Sequence, residues 1–243
     1  MTVDDRTVTA PAFHGVLLDF RGTLVVAPTE RWLVETALAR LGRAAGAAEV
    51  EKVLVALGGA DSARVDFSQI DTNVIEHRAA YAEWFRDAGI DGELAGALYA
   101  AESDVSLNEF ARDVEPLLLG LASAGVRVGV VSDIHVDLRP VFASHLLPDG
   151  RSWADIVHSW TLSFEAGLAK PDPAIFRAAL DGLGVPASDV LMVGDRAGWD
   201  GAALDVGMTT LLLPPLKDPT EERLHRVLDL VLPGRSCTPR IRP

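Results

Sequence analysis

Gly15-Val-Leu-Leu-Asp-Phe-Arg-Gly-Thr23 decides the reading of this chain. Val16, Leu17 and Leu18 form a continuous apolar run beside a turn-forming glycine. That pattern predicts a strand buried on both faces, as in a parallel sheet covered by helices. An acid follows at once, at Asp19, and then Arg21-Gly22-Thr23 breaks the strand. A carboxylate at the end of a buried strand is costly unless it has partners. The glycine allows a sharp turn there, and the threonine hydroxyl can bind an oxyanion.

Outward from this strand the chain changes character. From about Pro28 to Asp104 it is rich in Ala, Leu, Glu and Arg at helical spacing. Helices are predicted over Thr29–Leu41, Val50–Leu57, Asp71–Ala88 and Asp91–Glu102, with Asp71 as an N-cap and Gly89 as a stop. After them, strand and helix alternate. Helices are expected at Val114–Ala124, Pro140–Leu146, Pro173–Leu183, Ala197–Val206 and Thr220–Val231. Strands are expected at Val126–Ser132, Ile156–Thr161, Val190–Val193 and Thr210–Leu213. Repeated β-α units predict an α/β fold, a Rossmann-like parallel sheet with helices on both faces. The inserted helices predict an all-helical cap over the carboxyl ends of the strands, where such sheets bind ligands. The expected domains are residues 1–24 with 113–243 as the core and 25–112 as the cap.

Composition sets the limits. A chain of 243 residues, about half of them apolar, can bury a sizeable core plus a smaller insert. A net charge of −13 argues against nonspecific binding to nucleic acid or anionic membranes. Apolar runs such as Val190–Val193 and Thr210–Leu213 are strand-sized, far below the ~20 residues of a membrane helix. Met1–Pro11 is polar, with no apolar leader core, which predicts a cytoplasmic protein. It and Pro233–Pro243 read as flexible ends. One cysteine, Cys237, allows no disulfide framework within the chain. Nothing distinguishes a monomer from a homodimer.

Four places carry candidate chemistry, each at a strand end or in a loop: Asp19 with Thr23; Ser132-Asp133; Lys170-Pro171-Asp172-Pro173; and Gly194-Asp195 with Asp200. Singly, each has an ordinary explanation as a cap, turn or surface residue. In this order on this strand pattern they resemble the four motifs of the haloacid dehalogenase (HAD) superfamily, over about Gly15 to Leu213. The stretch Gly167–Gly207 is especially similar, and the helical insert resembles a type 1 cap in architecture.

The resemblance implies roles. Asp19 becomes the nucleophile, commonly forming an aspartyl phosphate. Mg²⁺ is the implied cofactor, held by Asp19, the backbone carbonyl of Arg21, Asp195 and waters. Asp200 is either a further ligand through water or the partner that orients Lys170. Thr23, Ser132 and Asp133 are implied at the phosphate site, and Lys170 neutralises charge on nucleophile and transferring group. The implied substrate is a small phosphorylated metabolite.

The family's usual second carboxylate, two residues past the nucleophile, is replaced by Arg21, which cannot be a general base. Three readings follow. Arg21 binds the substrate while the acid/base comes from elsewhere, or it marks a catalytically weak phosphate-binding or regulatory protein, or the substrate has a good leaving group. A 2-haloacid dehalogenase is the alternative enzyme, with Arg21 or Arg31 holding the substrate carboxylate. Candidate substrate contacts in the cap are Glu30, Arg31, Trp32, His77, Arg78, Tyr81 and Trp84, and His135 is the candidate substitute acid/base.

Overall fold

The computed structural model describes residues 10–67 and 69–233. The expected flexible ends and Cys237 lie outside the described residues, apart from residues 10, 11 and 233.

The first strand forms where the apolar run predicts it: β1, Gly15–Leu18, is buried throughout. Four helices follow: α1 (Glu30–Arg40), α2 (Ala47–Gly58), α3 (Val74–Asp87) and α4 (Gly92–Glu102). Then come α5 (Val114–Ser123), β2 (Arg127–Ser132), α6 (Arg139–Ala143), β3 (Val157–Leu162), α7 (Ser163–Ala166), α8 (Pro173–Leu183), β4 (Val190–Gly194), β5 (Thr209–Leu212) and α9 (His225–Val231). The strands make one parallel sheet in the order β3-β2-β1-β4-β5. The α/β fold with an all-parallel Rossmann-like sheet is therefore as the sequence predicts.

Alternation along β1 shows why both faces are apolar. Val16 and Leu18 pack into one cluster with Leu117, Leu118 and Leu121 of α5 and Val227 of α9. Leu17 points the other way, into a second cluster with Ile175, Phe176 and Ala179 of α8. A strand sandwiched between helices has no wet face, so polar residues are excluded from it. The inserted helices build a third cluster of their own, with Val34, Leu38, Phe85, Leu94 and Leu98 at its centre. Among the described residues no helix is long and apolar enough to cross a membrane.

Three local expectations need correction. The N-cap of α3 is Asn73, whose Oδ1 accepts from the N–H groups of Ile75 and Glu76, and Asp71 lies instead in a short 3₁₀ turn, Ile70–Thr72. The predicted helix over Ala197–Val206 is 3₁₀ and starts at Asp200, because Asp200 Oδ2 turns back to accept from the N–H groups of Asp195 and Arg196. The last helix begins five residues later than Thr220, at His225. Before it, the N–H groups of Arg223 and Leu224 are drawn to Asp113 Oδ2, at 2.6 and 2.7 Å.

The two-sided sheet predicts unequal costs for truncation. Leu118→Ala, at a fully buried position, should lower unfolding stability by about 2–5 kcal/mol in urea titrations. Leu204→Ala, at a position 61% exposed, should change it by no more than about 0.5 kcal/mol. Equal midpoints for the two variants would contradict this picture of the core.

Candidate active site

Parallel strands end together, and the carboxyl ends of β1, β2 and β4 bring Asp19, Ser132 and Asp195 to one edge of the sheet. The backbone N–H of Asp19 still donates to Val193 O at 2.9 Å, so its Cα position is set by the sheet. The chain then coils tightly, with Leu24 N donating to Phe20 O at 2.8 Å. Gly22 sits at φ +83°, and a Cβ there would lie 2.4 Å from Asp195 Oδ2. Both conformation and space therefore require glycine. Buried Arg223 braces this loop, donating to Thr23 O at 2.6 Å and to Pro214 O.

Lys170 reaches the same point from the loop before α8. Its Nζ donates to Asp19 Oδ1 at 2.6 Å and to Asp200 Oδ1 at 2.7 Å, and all three side chains are buried. Burial works against the ammonium charge. Asp19, Asp200 and Asp133 outweigh it and hold Lys170 protonated well above its ordinary range. Asp133 Oδ1 accepts from the backbone N–H of Lys170 at 2.8 Å, fixing the loop from β2. Asp172 caps α8 by accepting from Ala174 N–H at 2.8 Å, and the Lys170–Pro171 peptide is cis. Asp200 is fully committed, one oxygen to Lys170 and the other to the backbone of Asp195 and Arg196. Gly194 leaves it room, since a Cβ there would lie 2.2 Å from Asp200 Cγ.

Donor oxygens of Asp19, Asp195 and Asp200 lie within 4.8 Å of one another. One lysine cannot balance three carboxylates. The imbalance falls on Asp195, whose carboxyl is pushed up to about 6 by burial and by its neighbours Asp19 and Asp200. Hard oxygen donors with excess negative charge suit Mg²⁺. Thr23, fully buried, donates its hydroxyl to Asp19 Oδ2 at 3.1 Å and lies 3.5 Å from Asp195 Oδ1. It holds the carboxylates together and does not open on the cavity.

A cavity of about 320 Å³ lies in front of Asp19, within the range of small-molecule sites. Ser132, Asp133 and Lys170 line it from the sheet, Asp71, His77, Tyr81 and Glu102 from the helical insert. Arg21 also reaches it, but its donors are committed. The guanidinium pairs with the Glu102 carboxylate, donates to Glu102 O at 2.8 Å and to Asn108 Oδ1 at 3.3 Å. Arg21 thus clasps the end of α4 to the loop after Asp19.

The other candidates scatter. Arg31 pairs with Glu51 on the surface at 2.8 Å, Trp84 donates to Leu57 O within the insert, and Arg78 lies over the Tyr99 ring. Glu30 and Trp32 do not line this cavity. His135 is buried, stacked on His77 at 3.6 Å, with its Nε2 2.9 Å from Ser103 Oγ. Asp66, Phe67, Asp71, Glu102, Arg196 and Trp199 all line the cavity. Sequence reading did not single out their side chains for the site, because each comes from a segment whose local pattern reports only helix or loop.

Asp133 gives a pH test. Burial, chiefly, pushes its carboxyl from 3.8 to about 6. A raised folded value means the contribution is complete below about pH 4 and lost as pH rises through 6. With chelator present, wild type should lose up to about 3 kcal/mol from this group between pH 4 and 7. Asp133→Asn keeps an acceptor for Lys170 N–H and should remove that part of the slope. Parallel stability curves for the two proteins would refute the assignment.

Comparison with known proteins identifies the family and the fold. The family model for haloacid dehalogenase-like hydrolases matches residues 13–206. A phosphoglycolate phosphatase of Rhodospirillum rubrum is 39% identical over 97 residues, which is 40% of this chain and only 38% of that relative's length. In fold, the chain resembles a 2-haloacid dehalogenase from Pseudomonas syringae (TM-score 0.59, 20% identity, 90% of this chain and 97% of the other). It also resembles a Bacteroides thetaiotaomicron HAD family enzyme in complex with magnesium and inorganic phosphate (TM-score 0.57, 20% identity, 85% and 96%). At such identities the likeness is one of fold. With the motif residues gathered at the strand ends and the family model spanning most of the chain, the protein belongs to the haloacid dehalogenase-like hydrolases.

Proposed function

We propose that this hydrolase is a Mg²⁺-dependent phosphatase acting on a small phosphorylated metabolite through an aspartyl phosphate on Asp19. One observation carries the reading: Asp19, Asp195 and Asp200 converge around a single buried lysine. Such a site has the charge deficit that a divalent cation fills and the lysine that a phosphoryl group needs. Asp19, Asp195 and the Arg21 carbonyl are the proposed metal ligands, with Asp200 held to Lys170 and acting through it. Bound there, Mg²⁺ would offset the charge between carboxylate and phosphate and help orient the two.

The chain's own residues do the rest. An Asp19 oxygen attacks phosphorus and the bond to the leaving alcohol oxygen breaks. Lys170 and Ser132 hold the phosphoryl oxygens. Water then displaces Asp19, releasing inorganic phosphate and restoring the carboxylate. The inserted helices serve as the cap, covering the cavity from the side opposite the sheet.

A dehalogenase reading has less support. It needs a free cation for the substrate carboxylate, yet Arg21 is committed to Glu102 and Arg31 to Glu51 on the surface. The reading of Arg21 as a substrate-binding cation weakens for the same reason. Arg21 as a clasp leaves no base at that position, which makes breakdown of the aspartyl phosphate the slow step.

Phosphate release from p-nitrophenyl phosphate should require Mg²⁺ and fall at least about 10³-fold in Asp19→Asn. Turnover surviving that change would remove Asp19 as the nucleophile, and turnover indifferent to chelator would remove the metal. Rapid mixing should show a burst of about one p-nitrophenolate per chain. A steady rate some 10²–10⁴ below the burst should follow, the usual worth of a general acid–base group. Linear product formation with no trapped acyl phosphate would show that the second step is not slow.

A further inference from the structure

We propose that the cavity selects a phosphate monoester whose alcohol portion carries a positively charged amine. This rests on the phosphatase reading for its phosphate end, at Asp19, Ser132 and Lys170, and concerns the opposite end, formed by the helical insert.

The charges at that end do not cancel. Three carboxylates line it: Asp66, Asp71 and Glu102. Glu102 is matched by Arg21. Among the described residues Asp71 has no arginine or lysine partner. His77 Nε2 and His135 Nδ1 lie 3.7 and 3.5 Å from its Oδ1, both beyond a hydrogen bond. Burial, reinforced by His135 and Arg21, pushes His77 down to about 4, so it stays neutral near pH 7 and does not offset Asp71. The hydroxyl of Tyr81 is pushed up by burial and by Glu102 and Asp71, and it stays protonated. Among the described residues Asp66 accepts from a neutral group, Ser62 Oγ at 2.6 Å.

Among the described residues no arginine or lysine at this end is free to answer. Among the described residues lining the cavity, the cations are Arg21, Lys170 and Arg196. The first is held by Glu102 and the second by Asp19 and Asp200. Arg196 belongs to the loop after β4, exposed, 3.7 Å over the Trp199 ring.

A second feature points to the same ligand. The wall beside Asp71 is aromatic, with Tyr81 stacked on His77 at 4.5 Å and Phe67 lining the cavity 60% exposed. An ammonium is attracted both to a carboxylate and to ring faces. A carboxylate-bearing ester would instead bring a like charge against Asp66 and Asp71, which discriminates by repulsion. The cavity's size suits a short amino alcohol phosphate. The overall reaction is ester plus water giving inorganic phosphate and the amino alcohol, with the ammonium unchanged throughout.

Three esters of nearly equal length separate charge from size: phosphoethanolamine, ethyl phosphate and 2-phosphoglycolate. Their affinities for the full-length Asp19→Asn protein with Mg²⁺ can be read by calorimetry, and wild-type turnover by phosphate release. Phosphoethanolamine should bind at least about tenfold tighter than ethyl phosphate, the scale of one charge-assisted contact. 2-Phosphoglycolate should bind weakest. Adding Asp71→Asn should remove about tenfold of the preference for phosphoethanolamine while leaving ethyl phosphate within about twofold. Adding Asp66→Asn should lower the same preference by a smaller factor. Equal or tighter binding of 2-phosphoglycolate, or an order untouched by Asp71→Asn, overturns the proposal. Binding in the expected order with no wild-type turnover of any ester supports the ligand class and removes the phosphatase reading. Turnover of p-nitrophenyl phosphate without charge preference does the reverse.

Discussion

A buried ammonium between two buried carboxylates constrains everything around it. Lys170 Nζ touches Asp19 and Asp200 at 2.6 and 2.7 Å, away from bulk water. Removing one partner of such a group leaves an uncompensated charge costing about 3–5 kcal/mol. The surrounding chain therefore has to hold all three groups in register. Asp133 holds the Lys170 backbone, Asp200 binds the turn after β4, and glycines at 22 and 194 give the carboxylates space that any Cβ would fill. Much of the motif pattern follows from this packing requirement before any chemistry is considered.

The same constraint creates the site's character. Lysine satisfies Asp19 and Asp200 but leaves Asp195 crowded by like charge, with its carboxyl pushed up to about 6. A site short of positive charge, at the open edge of a parallel sheet, has the electrostatics that suit a divalent cation. The imbalance recurs across the cavity, where Asp66 and Asp71 face inward from the helical insert. Arg21 belongs to neither balance. Its partners are Glu102 and Asn108, so it joins the insert to the loop after Asp19. A cation at this position thus sets both the chemistry available beside Asp19 and the way the two parts of the chain meet.

Much of the core was legible in the sequence because its signals are local. Buried parallel strands must be continuous apolar runs, and β1 and β4 are. Each motif residue follows such a run or sits in a proline-flanked loop, so its place at the carboxyl edge follows from the strand. Errors arose where a side chain overrode local propensity. Asp200 turned a predicted helix into 3₁₀ structure, and Asp113 delayed the last helix by holding two N–H groups 110 residues away in sequence. Asp71 read as a helix cap because acids commonly are, while Asn73 satisfies those N–H groups and frees Asp71 to face the cavity.

By itself, then, the sequence determined the sheet, the order of the strand-end motifs and the identity of the residues around Asp19, since strand periodicity and motif spacing are properties of short segments. Only the tertiary structure decided what those residues touch. That Thr23 serves the carboxylates, that Asp200 is committed to Lys170, and that Arg21 answers Glu102 depend on contacts between segments up to 172 residues apart. Charge balance is a sum over space. No stretch of chain records that sum until folding brings its terms together.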